Sequence, residues 1–504
     1  MPKAILSVYD KTGLLELAGG LAELGWQLLA SGGTARLLSG RGLPVTEVSN
    51  YTGSPEMLGG RLKTLHPAIA GGLLGRNRAS DRAELAGQGW ELIDLAVVNL
   101  YPFEETIAKP GVSLAEAIEN IDIGGVTLIR AAAKNFERVT LLCDPQDYAG
   151  VLASLRSIGE VPEEQRRQLA LKGFQLTCAY DATISSYLSG QPCETLRLYP
   201  VQSLRYGENP HQPAELYGYA PGSTPLGGRV LQGKELSYNN LLDLDAAWRA
   251  VTSFEKTSVC IVKHLSPCGI ATAETAVQAY RAALASDPVS AFGGVLACNR
   301  ALDEASAQAM AELFIECICA PGFSEQVRAI FAYKKNLRLL EMPDLTIEPS
   351  FELRSITRGL LKQTLDRGDP HEANRQVVSQ RQPTTQEWQA LRFAWQACQH
   401  VKSNAIVLAS VFASVEATVG IGGGQPNRVD CVRIAIERAG QRSNGSVMAS
   451  DAFFPFPDSV ELAARAGITA IIQPGGSMRD AETLAAADAA GMAMVITGVR
   501  HFRH

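Results

Sequence analysis

The 504-residue chain has no apolar run long enough to cross a bilayer as a helix; its most apolar later stretch, 405–415, stops at Glu416. The N-terminus carries one lysine and then a strand-like 4–8. It lacks the apolar region and small-residue cleavage site of an export signal, so a cytoplasmic protein is expected. Basic charge is not in excess: 46 Lys and Arg face 52 Asp and Glu, a net charge of −6. Duplex nucleic acid would meet no global attraction, which leaves anionic small molecules as partners for local Arg and Lys. The ten cysteines lack the paired spacing of a zinc site or a secreted disulfide framework. They fall in apolar segments such as 258–262 and 314–320 and are expected to be reduced. Short-period repeats and low-complexity tracts are also missing.

What is present describes a globular chain of two to four domains, with 46% hydrophobic and 19% charged residues. Over the first 150 or so residues, strand patterns at 4–8, 27–30, 45–48, 92–100 and 139–143 alternate with helical patterns at 14–24, 35–41 and 114–120. That rhythm predicts a parallel α/β sheet. A helix over 163–189 is broken by Gly190, Gln191 and Pro192, and 197–200 starts a new strand, so domains over 1–195 and 196–504 are expected. The second region mixes strands at 259–262, 295–298, 419–422, 470–472 and 493–497 with helices at 244–254 and 304–314. A polar stretch at 367–386 predicts two α/β subdomains within it.

Several motifs carry chemistry. Ser31, Gly32, Gly33 and Thr34 follow a strand and open a helix, where backbone N–H groups can hold a phosphate; a purely steric turn is the equal alternative. Asp10, Lys11 and Thr12 lie in the loop after the first strand, and a doubly wound sheet gathers such loops into one crevice. The bland reading is a helix capped by Asp10 with Lys11 in solvent. Arg61 and Lys63, two residues apart, would share one side of an extended chain, although solvated surface charge is the usual reading. Asn99, Leu100 and Tyr101 emerge at the end of the strongest strand, where a core-rim aromatic is the alternative.

In the second region, 205–212 is dense in polar and turn-forming residues, which suits a binding loop. Lys263 and His264 follow a strand, and the neighbouring ammonium would favour a neutral imidazole base. Consecutive strand residues point to opposite faces, so both serve one site only where the chain turns; Ser266 and Pro267 supply that turn. Without context, a solvated strand end is the commoner reading of such a pair.

Taken together, the runs SVYDKTG, ASGGTA, RLKTLHP, NLYPF, IDIGGVTLIRAAAKN, LRYGENPHQ, KHLSPCG, SAFGG, GIGGGQ, SDAFFPF and the final RHFRH occur in one order. In that order the chain resembles the bifunctional phosphoribosylaminoimidazolecarboxamide formyltransferase and IMP cyclohydrolase (ATIC/PurH) family. The resemblance implies a methylglyoxal-synthase-like cyclohydrolase domain followed by a transformylase of two cytidine-deaminase-like subdomains. Zinc deaminases need Cys/His ligands with a Glu in a set pattern that this sequence lacks, so no catalytic metal is expected. No tightly bound cofactor is implied; 10-formyltetrahydrofolate is the cosubstrate, a monovalent cation is compatible, and a homodimer is the implied state.

Residue by residue, the resemblance assigns cyclohydrolase nucleotide binding to Tyr9, Asp10, Lys11, Thr12, Ser31, Gly32, Gly33, Thr34, Arg61, Leu62, Thr64, Asn99, Leu100, Ile123 and Gly124. It implies catalytic roles there for Lys134, Lys63, Tyr101 and Asp122. In the transformylase it implies His264 as base, Lys263 as oxyanion partner, and nucleotide contacts from Arg205, Tyr206, Gly293, Glu316, Asn404, Arg428, Phe453 and Arg500. Val429, Asp458, Ser477 and Met478 fall to the folate. Pro426, Asn427, Pro457 and Glu316 depart from the family pattern without removing an implied catalytic group.

Overall fold

Short apolar runs near the N-terminus need cover on both faces, and the chain supplies it by alternating them with helices. The computed structural model describes residues 1–58, 61–191 and 194–504; Pro192, part of the expected helix break, lies outside them. The chain divides into two units, Met1–Leu196 and Arg197–His504.

In the first unit, β1 (Lys3–Ser7), β2 (Gln27–Ala30), β3 (Val45–Glu47), β4 (Leu95–Val98) and β5 (Thr140–Leu142) form a sheet in the order β3-β2-β1-β4-β5. Every pairing is parallel. The chain winds outward from β1 to β3 and then returns to β4 on the other side of β1. The loops after β1 and β4 therefore part at the switch point and leave a crevice at the strand C-termini. Apolar side chains from both sheet faces are buried under the helices, among them Leu6, Val97 and Leu142 on one face and Ile5, Ala96 and Leu141 on the other. Helix Glu163–Ser189 crosses β5 at Gly173, where an added Cβ would lie 2.3 Å from Leu141.

The second unit opens with the hairpin β6 (Tyr199–Leu204) and β7 (Ala214–Gly218). Its main sheet starts with β8 (Arg229–Gln232), β9 (Thr257–Lys263), β10 (Ser266–Ala273), β11 (Gly294–Cys298), β12 (Ile315–Ala320) and β13 (Arg338–Glu341). A separate hairpin, β14 (Phe351–Ile356) and β15 (Gly359–Thr364), precedes the other half of the sheet. That half contains β16 (Gln376–Val377), β17 (Ala405–Phe412), β18 (Val415–Gly423), β19 (Val447–Ser450), β20 (Ala470–Gln473) and β21 (Ala493–Ile496). The twelve strands run β16-β21-β20-β19-β17-β18-β10-β9-β11-β12-β13-β8.

The two halves repeat one plan: edge strand, helix, two-stranded hairpin, helix, then three parallel strands linked by helices. The first helices, Tyr238–Thr252 and Thr385–Cys398, each bury a tryptophan, Trp248 and Trp395. Antiparallel pairing of β10 with β18 fuses the halves into one continuous sheet. The polar stretch 367–386 thus separates two halves in sequence but not two independent sheets; it carries the short edge strand β16 and the first residues of helix Thr385–Cys398.

Some local expectations change. The turn after β9 is at His264–Leu265, while Ser266 and Pro267 already belong to β10. Helix Leu14–Glu23 has Gly13 as its N-cap; Asp10 instead accepts hydrogen bonds from the Thr12 N–H and hydroxyl, at 2.9 and 2.7 Å. The 92–100 strand shortens to Leu95–Val98 because its polar ends, Asp94 and Asn99, bond to backbone outside the ladder.

Candidate active sites

In the first unit the switch-point crevice collects the loops after β1, β2 and β4. Asn99 fastens two of them, its Oδ1 accepting from the N–H groups of Tyr9 (2.5 Å) and Asp10 (3.0 Å) while its Nδ2 donates to Asp10 O (2.9 Å). The Tyr9 and Tyr101 rings meet at 5.4 Å. Lys11 Nζ reaches Thr34 Oγ1 at 3.0 Å and also bonds Val8 O. Burial pulls the Lys11 pKa down, against the opposing pull of Asp10.

Helix Gly32–Ser39 opens with Ser31 as N-cap and no side-chain bond to its first-turn N–H groups. Those N–H groups, with Lys11 beside them, make an anion cradle. A Cβ added at Gly32 would lie 3.5 Å from Lys63 Nζ, so the segment 61–64 borders the same cradle. Lys63 pairs with Glu56 at 2.6 Å. Arg61 pairs with Glu119 instead, so the two cations do not share one partner. Leu62 bridges to Met57.

Across the crevice, helix Gly124–Lys134 starts against Thr64, whose Oγ1 would be 2.9 Å from a Cβ at Gly124. Asp122 accepts from the N–H of Gly125 at 2.6 Å and of Tyr101 at 3.4 Å. Burial raises its pKa, partly offset by those two N–H bonds. The Asp122 N–H donates to Tyr180 Oη at 2.8 Å, an anchor invisible to local motif reading because Tyr180 sits on the distant helix Glu163–Ser189. Leu100 packs against this loop, and Ile123 is exposed as the helix N-cap.

Lys134 is not brought to this cluster. It is the last residue of that helix, exposed, and ten residues beyond Gly124 amount to a rise of roughly 15 Å. The next residue, Asn135, bonds Leu73 O and Gly75 O at the far end of helix Pro67–Leu74. The AAAKN run therefore marks a helix end tied to the C-terminal end of helix Pro67–Leu74, on the same face of the sheet.

In the second unit two clusters form. Lys263 Nζ donates to Phe292 O at 2.8 Å, and Gly293, with φ 73°, donates its N–H to Phe314 O at 2.8 Å. Asn240 Nδ2 holds Glu316 at 2.8 Å, and Arg338 lies 3.8 Å from the same carboxylate. Asp243 accepts from the N–H groups of His264 and Leu265. Arg205 lies over the Tyr206 ring at 5.5 Å, in a loop tied to helix Tyr238–Thr252 by Asn239.

The other cluster centres on Arg428, whose buried guanidinium pairs with Asp451 and donates to Ser450 Oγ (2.8 Å) and Asn404 Oδ1 (2.6 Å). All three of these bonds stay within the protein, and one of them fixes Asn404, whose Nδ2 in turn holds Gln425 O and Pro426 O. Asn427, one of the departures from the family pattern, caps helix Arg428–Ala439 by accepting from Val429 N at 3.1 Å. Asp458 begins a helix and accepts from Ser459 N at 2.7 Å. Ser477 accepts from Arg479 N, Met478 is fully exposed, Phe453 is partly exposed, and Arg500 lies over Phe502 at 4.4 Å.

The strand pairings put both clusters at one end of the sheet. Ala271 faces Ala417, so the β9–β10 turn is level with the end of β18, which pairs there with the start of β17 beside Asn404. Two strand spacings, roughly 10 Å, separate them. A cavity of about 1080 Å³ in this unit is lined by Leu265, next to His264, and by Arg249, Lys402, Arg500 and Arg503. Among the described residues, no group of three or more His, Cys, Asp or Glu could hold a metal ion, and no helix is long and apolar enough to cross a membrane.

The family model for the AICARFT/IMPCHase bienzyme matches residues 132–438, and that for the MGS-like domain matches 13–127. The chain is 51% identical over 508 residues to the bifunctional purine biosynthesis protein PurH of Trichormus variabilis, covering 99% of each. It is 52% identical over 518 residues to PurH of Myxococcus xanthus, covering 99% of this chain and 100% of the relative. With one model matching more than half of its length and relatives aligned end to end, the chain belongs to the AICARFT/IMPCHase bienzyme family, the bifunctional formyltransferase and cyclohydrolase of purine biosynthesis.

Proposed function

We propose that the two reactions run at separate sites in the two units, with the residue roles as follows. In the second unit the amine of AICAR attacks the formyl carbon of 10-formyltetrahydrofolate. A C–N bond forms, the bond from formyl carbon to N10 breaks, and N10 takes up a proton as it leaves. That amine is conjugated with its imidazole and carboxamide, so its proton must be removed; His264 takes it, and Lys263 stabilises the oxyanion that develops on the formyl oxygen. Arg205, Tyr206, Gly293, Glu316, Asn404, Phe453 and Arg500 hold the nucleotide, with Arg428 orienting Asn404. Val429, Asp458, Ser477 and Met478 border the folate.

In the first unit the product FAICAR binds with its phosphate on the N–H groups of Gly32, Gly33 and Thr34 and on Lys11. Its carboxamide nitrogen attacks the formyl carbon, and the former carbonyl oxygen departs as water, giving IMP. Orientation in the crevice supplies much of the rate, Lys63 and backbone N–H groups stabilise the oxyanion, and Asp122 and Tyr101 handle the protons. Formyl transfer to so weak an amine has little driving force, and dehydrative ring closure draws it forward, which gives one chain a reason to carry both.

The observation that carries this reading is the convergence of Lys11, Thr34, Lys63, Thr64, Tyr101 and Asp122 on one crevice, in a unit other than the one containing Lys263 and His264. The enzyme works in the cytoplasm as a homodimer, with no tightly bound cofactor; a monovalent cation is compatible with this scheme but is not used by any step of it. Purified protein supplied with AICAR and 10-formyltetrahydrofolate should make IMP. Accumulation of FAICAR alone would reduce the protein to a transformylase, and tight nucleotide binding without turnover would make it a sensor.

A further inference from the structure

The turn between β9 and β10 breaks a local rule. A two-residue hairpin of this kind needs positive φ at both central residues, which Asn-Gly meets at little cost. Here they are His264 (φ 54°) and Leu265 (φ 60°), and a bulky leucine in that region is a genuine outlier. Such strain persists only where surrounding structure enforces it, and it gathers at functional sites. The turn also leaves two N–H groups without a ladder partner.

Asp243, on helix Tyr238–Thr252, meets both needs. Its Oδ2 accepts from His264 N at 3.2 Å and its Oδ1 from Leu265 N at 2.7 Å. The carboxylate is partly buried, which raises its pKa, while the two N–H bonds pull it back down. The duplicated half provides an internal comparison. Its hairpin turn has positive φ only at Ala413 among the non-glycine residues. Counting back from the shared tryptophan, the counterpart of Asp243 before Trp248 is Ala390 before Trp395, a buried residue with no carboxylate. The clamp and the doubly left-handed turn thus occur together, in the half that carries Lys263 and His264.

We propose that Asp243 is a positioning residue for formyl transfer: by clamping both turn N–H groups it holds His264 and Lys263 out of the alternating strand pattern and on one side. This rests on His264 being the transfer base. Asp243 touches no reacting atom, so its loss acts through geometry. A misplacement of about 1 Å at a reacting group costs on the order of 10²-fold in rate.

The test uses the full-length chain. Asp243→Ala should lower kcat for formyl transfer by on the order of 10²-fold, leave KM for both substrates within about twofold, and leave ring closure of supplied FAICAR unchanged. Asp243→Asn, which keeps one acceptor oxygen, should fall between. Leu265→Gly, read against the same change alone, should shrink the Asp243→Ala loss several-fold, because glycine takes positive φ freely; a proton-transfer role for Asp243 would not be rescued this way. If Asp243→Ala fails to fold, the Asp243→Asn variant with and without Leu265→Gly gives the same comparison. Unchanged transfer kinetics in Asp243→Asn and Asp243→Ala, beside a His264→Ala variant that has lost transfer, would overturn the inference and leave the transfer base intact. A rise in KM at constant kcat would overturn it too, and a His264→Ala variant that still transfers formyl would remove both.

Discussion

His501 Nδ1 lies 2.6 Å from Asp366 Oδ2, and Asp369 closes on its other ring nitrogen at 3.0 Å. This clasp ties the C-terminal tail to the loop after β15, against Trp395. Burial alone would lower the imidazole pKa, but the two carboxylates outweigh it and hold it at about 9, up from 6.5. Nearby His400 is kept neutral, pushed down to about 3 by burial and then by the Arg503 cation. A raised folded-state pKa means that the clasp's contribution is complete below pH 6.5 and fades as pH climbs through about 9. The melting temperature should therefore drop between those values, and His501→Ala should flatten that drop. An identical slope in the variant would assign it to other groups.

Asp122 is the carboxyl of the first crevice whose burial favours the protonated form. Asp122→Asn keeps the loop's shape and one acceptor, so binding should survive while proton transfer does not. Ring closure of FAICAR should slow by about 10²-fold or more, with formyl transfer unaffected. Lys134→Ala, at the other end of the helix, should cost far less. Equal losses would mean that Lys134 reaches the site by a route the helix does not offer.

Lys11 and Thr34 join the loops after β1 and β2 through a 3.0 Å bond. With the phosphate held there in ground and transition states alike, Lys11→Ala should raise KM for FAICAR by roughly tenfold or more with little change in kcat. Steady-state kinetics on FAICAR decide this; a fall in kcat at constant KM would move Lys11 from binding to chemistry.

Gly269 in β10 lies under helix Ala276–Ser286, where a Cβ would stand 2.0 Å from Ala283 O and 2.8 Å from Ser286 Cβ. The matching contact in the other half is Gly420, whose Cβ would meet Ala435 O at 2.1 Å and Ala439 Cβ at 3.0 Å. Gly269→Ala should cost about 2–3 kcal/mol by overpacking. The melting temperature of the second unit should fall, while ring closure, in the first unit, keeps its rate below that transition. An unshifted melt would show that the helix can move aside.

Much of this arrangement is legible in local patterns. The βαβ rhythm of the first 150 residues points to the parallel sheet, and the glycines after β2 mark the turn into helix Gly32–Ser39. The long helix 163–189 reads from its own periodicity and break. Residues that act from a distance are not legible in this way: Tyr180 reaches Asp122 across 58 positions, and Asp366 reaches His501 across 135. Asp243 is hidden for another reason, since a single aspartate in an amphipathic helix has the look of ordinary surface charge. The AAAKN run shows the converse: its lysine is conspicuous in sequence, and only the helix shows it set roughly 15 Å along the axis from Gly124. The duplication of the second unit escapes short-period searching because its halves share a plan and a tryptophan, not a string.

Two separate sites on one chain is the central claim, and a crossed pair of variants tests it most directly. His264→Ala and Asp122→Asn would each be assayed for FAICAR formation from AICAR and for IMP formation from supplied FAICAR. The first should lose transfer and keep ring closure; the second should do the reverse, and a mixture of the two should make IMP from AICAR. Loss of both activities in either well-folded variant would contradict the account.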